Sequence, residues 1–257
     1  LFDLIKTVEI ESQAMVKFGQ AWIKREPQSV VGHIALANAY DQMAWEQRGG
    51  NSAASTSAAQ MEGFQRNLEL ADKQLRDALR LSRHGEDLYI HSCLIDVGRG
   101  LNWPERKVRQ HFDEAIRGSG ALTAAPLRAY SGYILPRWHG KPGQWEQFAE
   151  ESVERTRTSL GEGAYAYVYE GIVGHAGVET EVRCDWMRCK RAYEDLILRY
   201  PDDSEIIALY LSLASLRGDK DCIKNVLGRM ESGKIMPHLD RRLANLQNKD
   251  LRAQFLP

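Results

Sequence analysis

What this 257-residue sequence has little of excludes several classes. Cysteine is scarce: Cys93, Cys184, Cys189 and Cys222 are the whole supply. A structural zinc site draws two pairs of ligands, each spaced two to four residues apart. Cys184 and Cys189 are five apart and have no second pair, so neither a metal nor a cofactor is expected, and reduced thiols fit a cytoplasmic protein. Neither sign of charge is in excess: 34 Lys and Arg stand against 35 Asp and Glu, for a net charge of -1. The isoelectric point near 6.7 therefore favours neither nucleic acid nor an anionic membrane as the main partner. No apolar run approaches the ~18 residues of a membrane span. Period-two alternation is missing, and β-branched residues are scattered, so no strand is expected. The Gly-x-Ser-x-Gly, His-Glu-x-x-His and Cys-x-x-Cys motifs are all absent. Without a catalytic set, the chain is read as a non-enzyme.

What is present is helical periodicity. Met61, Phe64, Leu68, Ala71, Leu75, Ala78 and Ser82 alternate in steps of three and four, which makes one long amphipathic helix with that stripe in the core. Residues 1–25 form an earlier helix stopped by Pro27. Ser29 is read as the N-cap of the next helix, Asn102 as that of a helix with Pro104 in its first turn, and Ser204 as that of a late one. His84 and Gly85 break the long helix, residues 175–183 form a loop, and a last helix is expected near 239–246.

The chain is organised around Tyr130–Phe148, YSGYILPRWHGKPGQWEQF, which holds two of the eight prolines and two of the six tryptophans. Pro136 cannot donate a backbone hydrogen bond, so the helix carrying Tyr130 and Tyr133 should end there. Gly140, Pro142 and Gly143 then make a turn, and Trp145, Phe148 and Ala149 open the next helix. Trp145 lies on an apolar stripe and should pack inward. Trp138 lies in the turn itself between Arg137 and His139, with Lys141 close by. Arg137, Trp138, His139 and Lys141 are therefore the candidate partner-binding residues, because Trp and Arg dominate binding energy at interfaces. The competing reading makes Trp138 a corner-packing residue and His139 a solvated turn histidine.

Other candidates carry less. Gly228 to Lys234 has phosphate-loop spacing, but Ile235 stands where a magnesium-binding hydroxyl belongs and no strand precedes it. His139 with Glu146 could serve a hydrolase or transferase if geometry joined them. The basic stretches Arg106–Arg117 and Arg183–Arg191 read as solvated faces, or as a nucleic-acid surface if they merged on one side. His91, beside Cys93, reads as a partly buried polar residue.

The helices recur. Leu75, Phe112, Phe148, Tyr193 and Leu227 begin similar second-helix patterns at steps of 37, 36, 45 and 34 residues. Trp22–Ser29 running into Ala35–Tyr40, and AYEDLILRYPDDS from Ala192 to Ser204, resemble tetratricopeptide units, whose period is about 34. The first-helix Trp-Leu-Gly-Tyr signature is missing as a set. The resemblance implies an all-α fold of stacked antiparallel helical hairpins forming a curved tetratricopeptide-like solenoid, with residues 1–257 as a single helical-repeat domain. It further implies a non-catalytic module that binds protein or peptide on a concave face. The LPRWHG corner, Leu135–Gly140, also resembles a turn in an uncharacterised family of bacterial domains, which implies a bacterial source. A bacterial immunity protein, or a chaperone for a cognate toxin or secreted effector, is the more specific form of the same binding role.

Overall fold

The computed structural model describes residues 12–50, 55–82, 88–118, 124–173 and 177–235. The sequence expectations at 1–11, His84, Gly85, His175 and 239–246 fall outside the described residues. Those residues form eleven α-helices and no strand. The helices are α1 (Ser12–Arg25), α2 (Val30–Arg48), α3 (Ala58–Leu81), α4 (Leu88–Gly100), α5 (Glu105–Gly118), α6 (Ala124–Tyr133), α7 (Gln144–Leu160), α8 (Gly163–Glu170), α9 (Trp186–Arg199), α10 (Ser204–Leu216) and α11 (Lys220–Glu231). A 3-10 turn, Val178–Thr180, lies within the predicted 175–183 loop. No described helix is long and apolar enough to cross a membrane. The chain divides into two compact units, Leu1–Lys141 and Pro142–Pro257.

Helix starts follow local chemistry. The Ser29 hydroxyl accepts from the Gly32 N–H at 3.1 Å, as its place before an apolar stripe predicts. Ser57 and Gln60 form a reciprocal capping box ahead of α3. Two expectations need correction. Asp203, not Ser204, caps α10, accepting from the Glu205 and Ile206 N–H groups. One carboxylate oxygen, Asp203 Oδ1, accepts from both orphan donors, at 2.9 and 3.2 Å. Asn102 is not an N-cap either. It sits at φ 54 and closes α4, with the Trp103 N–H returning to the Gly98 carbonyl at 2.9 Å. Asn tolerates the left-handed conformation that a helix C-terminus needs.

In the first unit α1 packs on α2, α2 on α3 and α4, α3 on α4, and α4 on both α5 and α6, with α5 also against α6. The core is drawn from one face of each helix: Ile34 and Ala37, then Phe64, Leu68, Ala71, Leu75 and Ala78, then Ile90, Leu94 and Val97. Five of the six apolar residues predicted for the α3 stripe are buried, and Met61 is half-buried at its end. Burying a large aliphatic side chain contributes about 1.5–3 kcal/mol, so this face holds α3 in place. In the second unit α7 packs on α8 and α9, α8 on α9, α9 on α10, and α10 on α11. Leu75, Phe112, Phe148, Tyr193 and Leu227, which lie on α3, α5, α7, α9 and α11, are all buried.

Candidate functional site

The corner begins where α6 runs out. Pro136 ends helical hydrogen bonding, and the Leu135 carbonyl instead accepts from the N–H groups of Trp138 and Gly140, at 2.9 and 3.1 Å. The chain folds back so tightly that a Cβ at Gly140 would lie 1.6 Å from the Ile134 carbonyl oxygen. Only glycine fits there.

The folded corner leans on α4. The last carbonyls of a helix lack partners within it, and the Arg99 carbonyl accepts from His139 Nε2 at 3.0 Å. A carbonyl only accepts, so His139 carries its proton on Nε2. The imidazole also stacks on Tyr133, with centroids 4.5 Å apart and planes 18° apart. The Tyr133 hydroxyl donates to the Trp103 carbonyl at 2.7 Å, and burial, followed by Glu105, pushes that hydroxyl up to about 12. His139 is thus a half-buried helix-capping group rather than the solvated turn residue expected from its neighbours.

Trp138 is half-buried. It meets Trp45 of α2 edge to face, with centroids 5.9 Å apart and planes at 85°. The Arg48 and Arg99 guanidiniums lie over both indoles: 5.8 and 5.7 Å from the Trp138 centroid, and 5.7 and 5.5 Å from the Trp45 centroid. Trp138 Nε1 and Arg99 Nε are buried and have no hydrogen-bond acceptor. Arg99 Nη2 reaches Asp96 at 3.5 Å. Arg137 and Lys141, which precede and follow Trp138 in the chain, are exposed. Of the predicted set, His139 is engaged in holding the corner. Arg137, Trp138 and Lys141 remain at a surface enriched in Trp and Arg. Sequence reasoning missed Trp45, Arg48 and Arg99, which come from α2 and α4 and have no local pattern linking them to the corner.

Glu146, the proposed catalytic partner of His139, lies on α7, where its Oε1 accepts from the Arg183 N–H at 2.7 Å. Trp145 is buried as predicted, edge-on to Tyr165 at 6.2 Å. His139 Nε2 and Glu146 Oε1 are thus each held by a backbone group, the Arg99 carbonyl and the Arg183 N–H, while Glu146 Oε2 is buried without a hydrogen-bond partner.

The second unit offers a groove of about 690 Å³ between α9 and α11. Two of its cations are paired: Lys190 with Asp219 at 2.9 Å and Arg229 with Glu194. The Cys222 N–H first, then Lys190, hold the Asp219 carboxyl down at about 2. Burial pushes the Cys189 and Cys222 thiols up, away from the thiolate a nucleophile or metal ligand needs. All four cysteines are free. Among the described residues no three His, Cys, Asp or Glu side chains converge to hold a metal ion. Of the α5 basic stretch, Arg109 and Arg117 pair with Asp113 and Glu114 of the same helix. Compared with protein-family models, curated proteins and solved structures, the chain finds no match.

Proposed function

We propose that the chain is a non-catalytic binding module, a tetratricopeptide-like helical array whose first unit engages a protein or peptide at the Trp138 corner. The observation that carries this reading is the half-buried Trp138–Trp45 pair, covered by two guanidiniums, with Arg137 and Lys141 exposed before and after Trp138 in the chain. Half-buried Trp beside Arg is the composition of interface hot spots. His139 and Glu146 bond to separate backbone groups, the Arg99 carbonyl and the Arg183 N–H, rather than to each other, which supports a role without a His139–Glu146 general-base pair. The repeat reading is supported by packing between next-but-one helices, α2 on α4, α4 on α6 and α7 on α9. Burial of the recurrent residue in alternate helices adds to it. Fold alone assigns no partner.

The test is affinity capture from the native host with the parent chain and with Arg137→Ala/Lys141→Ala. Both side chains are exposed, where an ion pair contributes about 0–1 kcal/mol, so the double variant should melt within a few degrees of the parent. The expected outcome is a partner captured by the parent and lost by the variant. A partner retained in full by the variant would show that the corner is not the site.

A further inference from the structure

Basic groups from three helices gather around one indole of the first unit. Trp103, in the turn between α4 and α5, is half-buried. Lys107 Nζ of α5 stands 3.0 Å from its ring centroid, and the Arg76 guanidinium of α3 stands 5.6 Å from the same centroid. The His111 imidazole of α5 lies 5.8 Å from it, with His91 of α4 behind, the two Nδ1 atoms 3.1 Å apart. Asp72 of α3 is the carboxylate of this group, and it accepts from Arg76 Nε at 3.0 Å. Among the described residues the Lys107 ammonium has no ion pair and no hydrogen-bond acceptor. Its side chain is half-exposed, so a small reagent reaches it.

An ordinary lysine is only about 0.1% neutral at pH 7.5. Desolvation, or a second cation close by, turns a lysine into a nucleophile near neutral pH. Lys107 has both. Burial first, then Arg76, bring its ammonium below the ordinary lysine range, against the opposing pull of Asp72. An indole face attracts an ammonium, but here the same ring also takes a guanidinium, which keeps its charge at any ordinary pH. Lys190 of the second unit is the opposite case. It pairs with Asp219 at 2.9 Å, and that carboxylate raises it.

We propose that Lys107 is an acylation site, whose neutral amine takes acyl groups from acyl phosphates. The Nζ lone pair attacks the carbonyl carbon and a C–N bond forms. The bond from that carbon to the phosphate oxygen breaks, phosphate leaves with the electron pair, and the amine's proton passes to water. The amide product has no charge. Acylation therefore removes the ammonium from beside Arg76 and leaves the guanidinium as the cation over Trp103.

The experiment treats the full folded chain with acetyl phosphate and follows each lysine by mass spectrometry of its peptides. At pH 7.5 the initial rate at Lys107 should exceed that at the exposed Lys17, Lys73 and Lys224 about fivefold, and that at Lys190 about tenfold. Access alone would give the reverse order, since exposed amines meet the reagent more often. Between pH 6.5 and 11 the rate at Lys107 should level off at a lower pH than the rate at Lys190. Arg76→Gln removes the neighbouring cation and frees Asp72, so it should slow Lys107 about threefold and leave Lys190 unchanged. The pH profile is measured on the parent chain and keeps the test independent of how that variant folds. Labelling of Lys107 no faster than the exposed lysines would overturn the proposal. So would a plateau at or above that of Lys190, or a folded Arg76→Gln variant that labels Lys107 at the parent's rate.

Discussion

Two half-buried tryptophans, one in each unit, are handled in opposite ways. In the second unit Trp186 donates its indole N–H to Asp219 at 2.9 Å, and the same carboxylate takes Lys190 and caps α11. In the first unit Trp138 has no acceptor and has guanidiniums over its ring. The surroundings differ in the same sense. Around Trp186 the large rings are tyrosines buried within the core, with Tyr193 and Tyr210 stacked 4.7 Å apart. Besides pairs along single helices such as Arg155–Glu151 and Arg199–Asp195, the second unit has ion pairs that join separate elements, Arg188 to Glu150 and Glu162, and Arg229 to Glu194. In the first unit the pairs Arg76–Asp72, Arg99–Asp96 and Arg109–Asp113 run along single helices. Trp45, Trp103 and Trp138 sit half-exposed beneath Arg or Lys. A ring whose polar group is satisfied internally is structural. Trp138, half-buried with an unmet donor and a cationic cover, is the ring the proposed partner site uses. That difference, more than pocket volume, separates the corner from the groove.

The largest expected effect breaks the corner itself. Gly140→Ala drives a Cβ into the Ile134 carbonyl, and backbone cannot rotate away as a side chain can. Urea denaturation should show a loss of about 3 kcal/mol, while Gly143→Ala, with open space around its Cβ, loses less despite its φ of 82. Equal losses would mean that the corner is looser than described.

A second effect separates the units by pH. His91 and His111 face each other through Nδ1 atoms 3.1 Å apart. Burial first, then His91, Lys107 and Arg76, bring His111 down to about 4. The unfolded chain binds a proton near pH 6.5 that the folded chain resists until about pH 4, so stability is full above 6.5 and falls as pH drops between these values. Allowing for partial solvent screening, unfolding free energies from urea titrations at pH 7 and pH 4.5 should differ by about 1–2 kcal/mol from this group, and His111→Gln should reduce the difference. A His111→Gln variant with the parent's full acid sensitivity would assign that sensitivity elsewhere.

The smallest effect belongs to the second unit. Arg188 bridges Glu150 and Glu162 and lies 4.4 Å over Tyr165. Both carboxylates are well exposed, so Arg188→Ala should cost about 1 kcal/mol, less in high salt. Thermal melts in low and high salt measure it. A cost unaffected by salt would assign the role of Arg188 to packing.

Much of this was legible in the sequence where the physics is local. The α3 stripe from Phe64 to Ala78 is buried because its period matches the helix. Ser29, Pro136 and the inward Trp145 likewise follow from one residue and its near neighbours. Asn102 was misread because the same side chain suits an N-cap and a left-handed C-terminus, and only the backbone chooses. Ser204 lost to Asp203 because two cap-competent residues are adjacent. The site was half legible. Trp138 stands out between charged neighbours, but Trp45, Arg48 and Arg99 reach it through tertiary packing, and no spacing rule connects α2 and α4 to the corner. His139 looked solvated because its real partner, the Arg99 carbonyl, is a backbone group forty residues away.

The central claim is that Trp138 serves a partner more than it serves the fold, and the paired measurement of melting temperature and partner capture in Trp138→Ala tests it directly. The ring is half-buried and its N–H satisfies nothing internally. The account therefore predicts a melting temperature within a few degrees of the parent and loss of the captured partner. A stability loss of about 3–5 kcal/mol, as large core aromatics show, with binding lost only in proportion to unfolding, would contradict it.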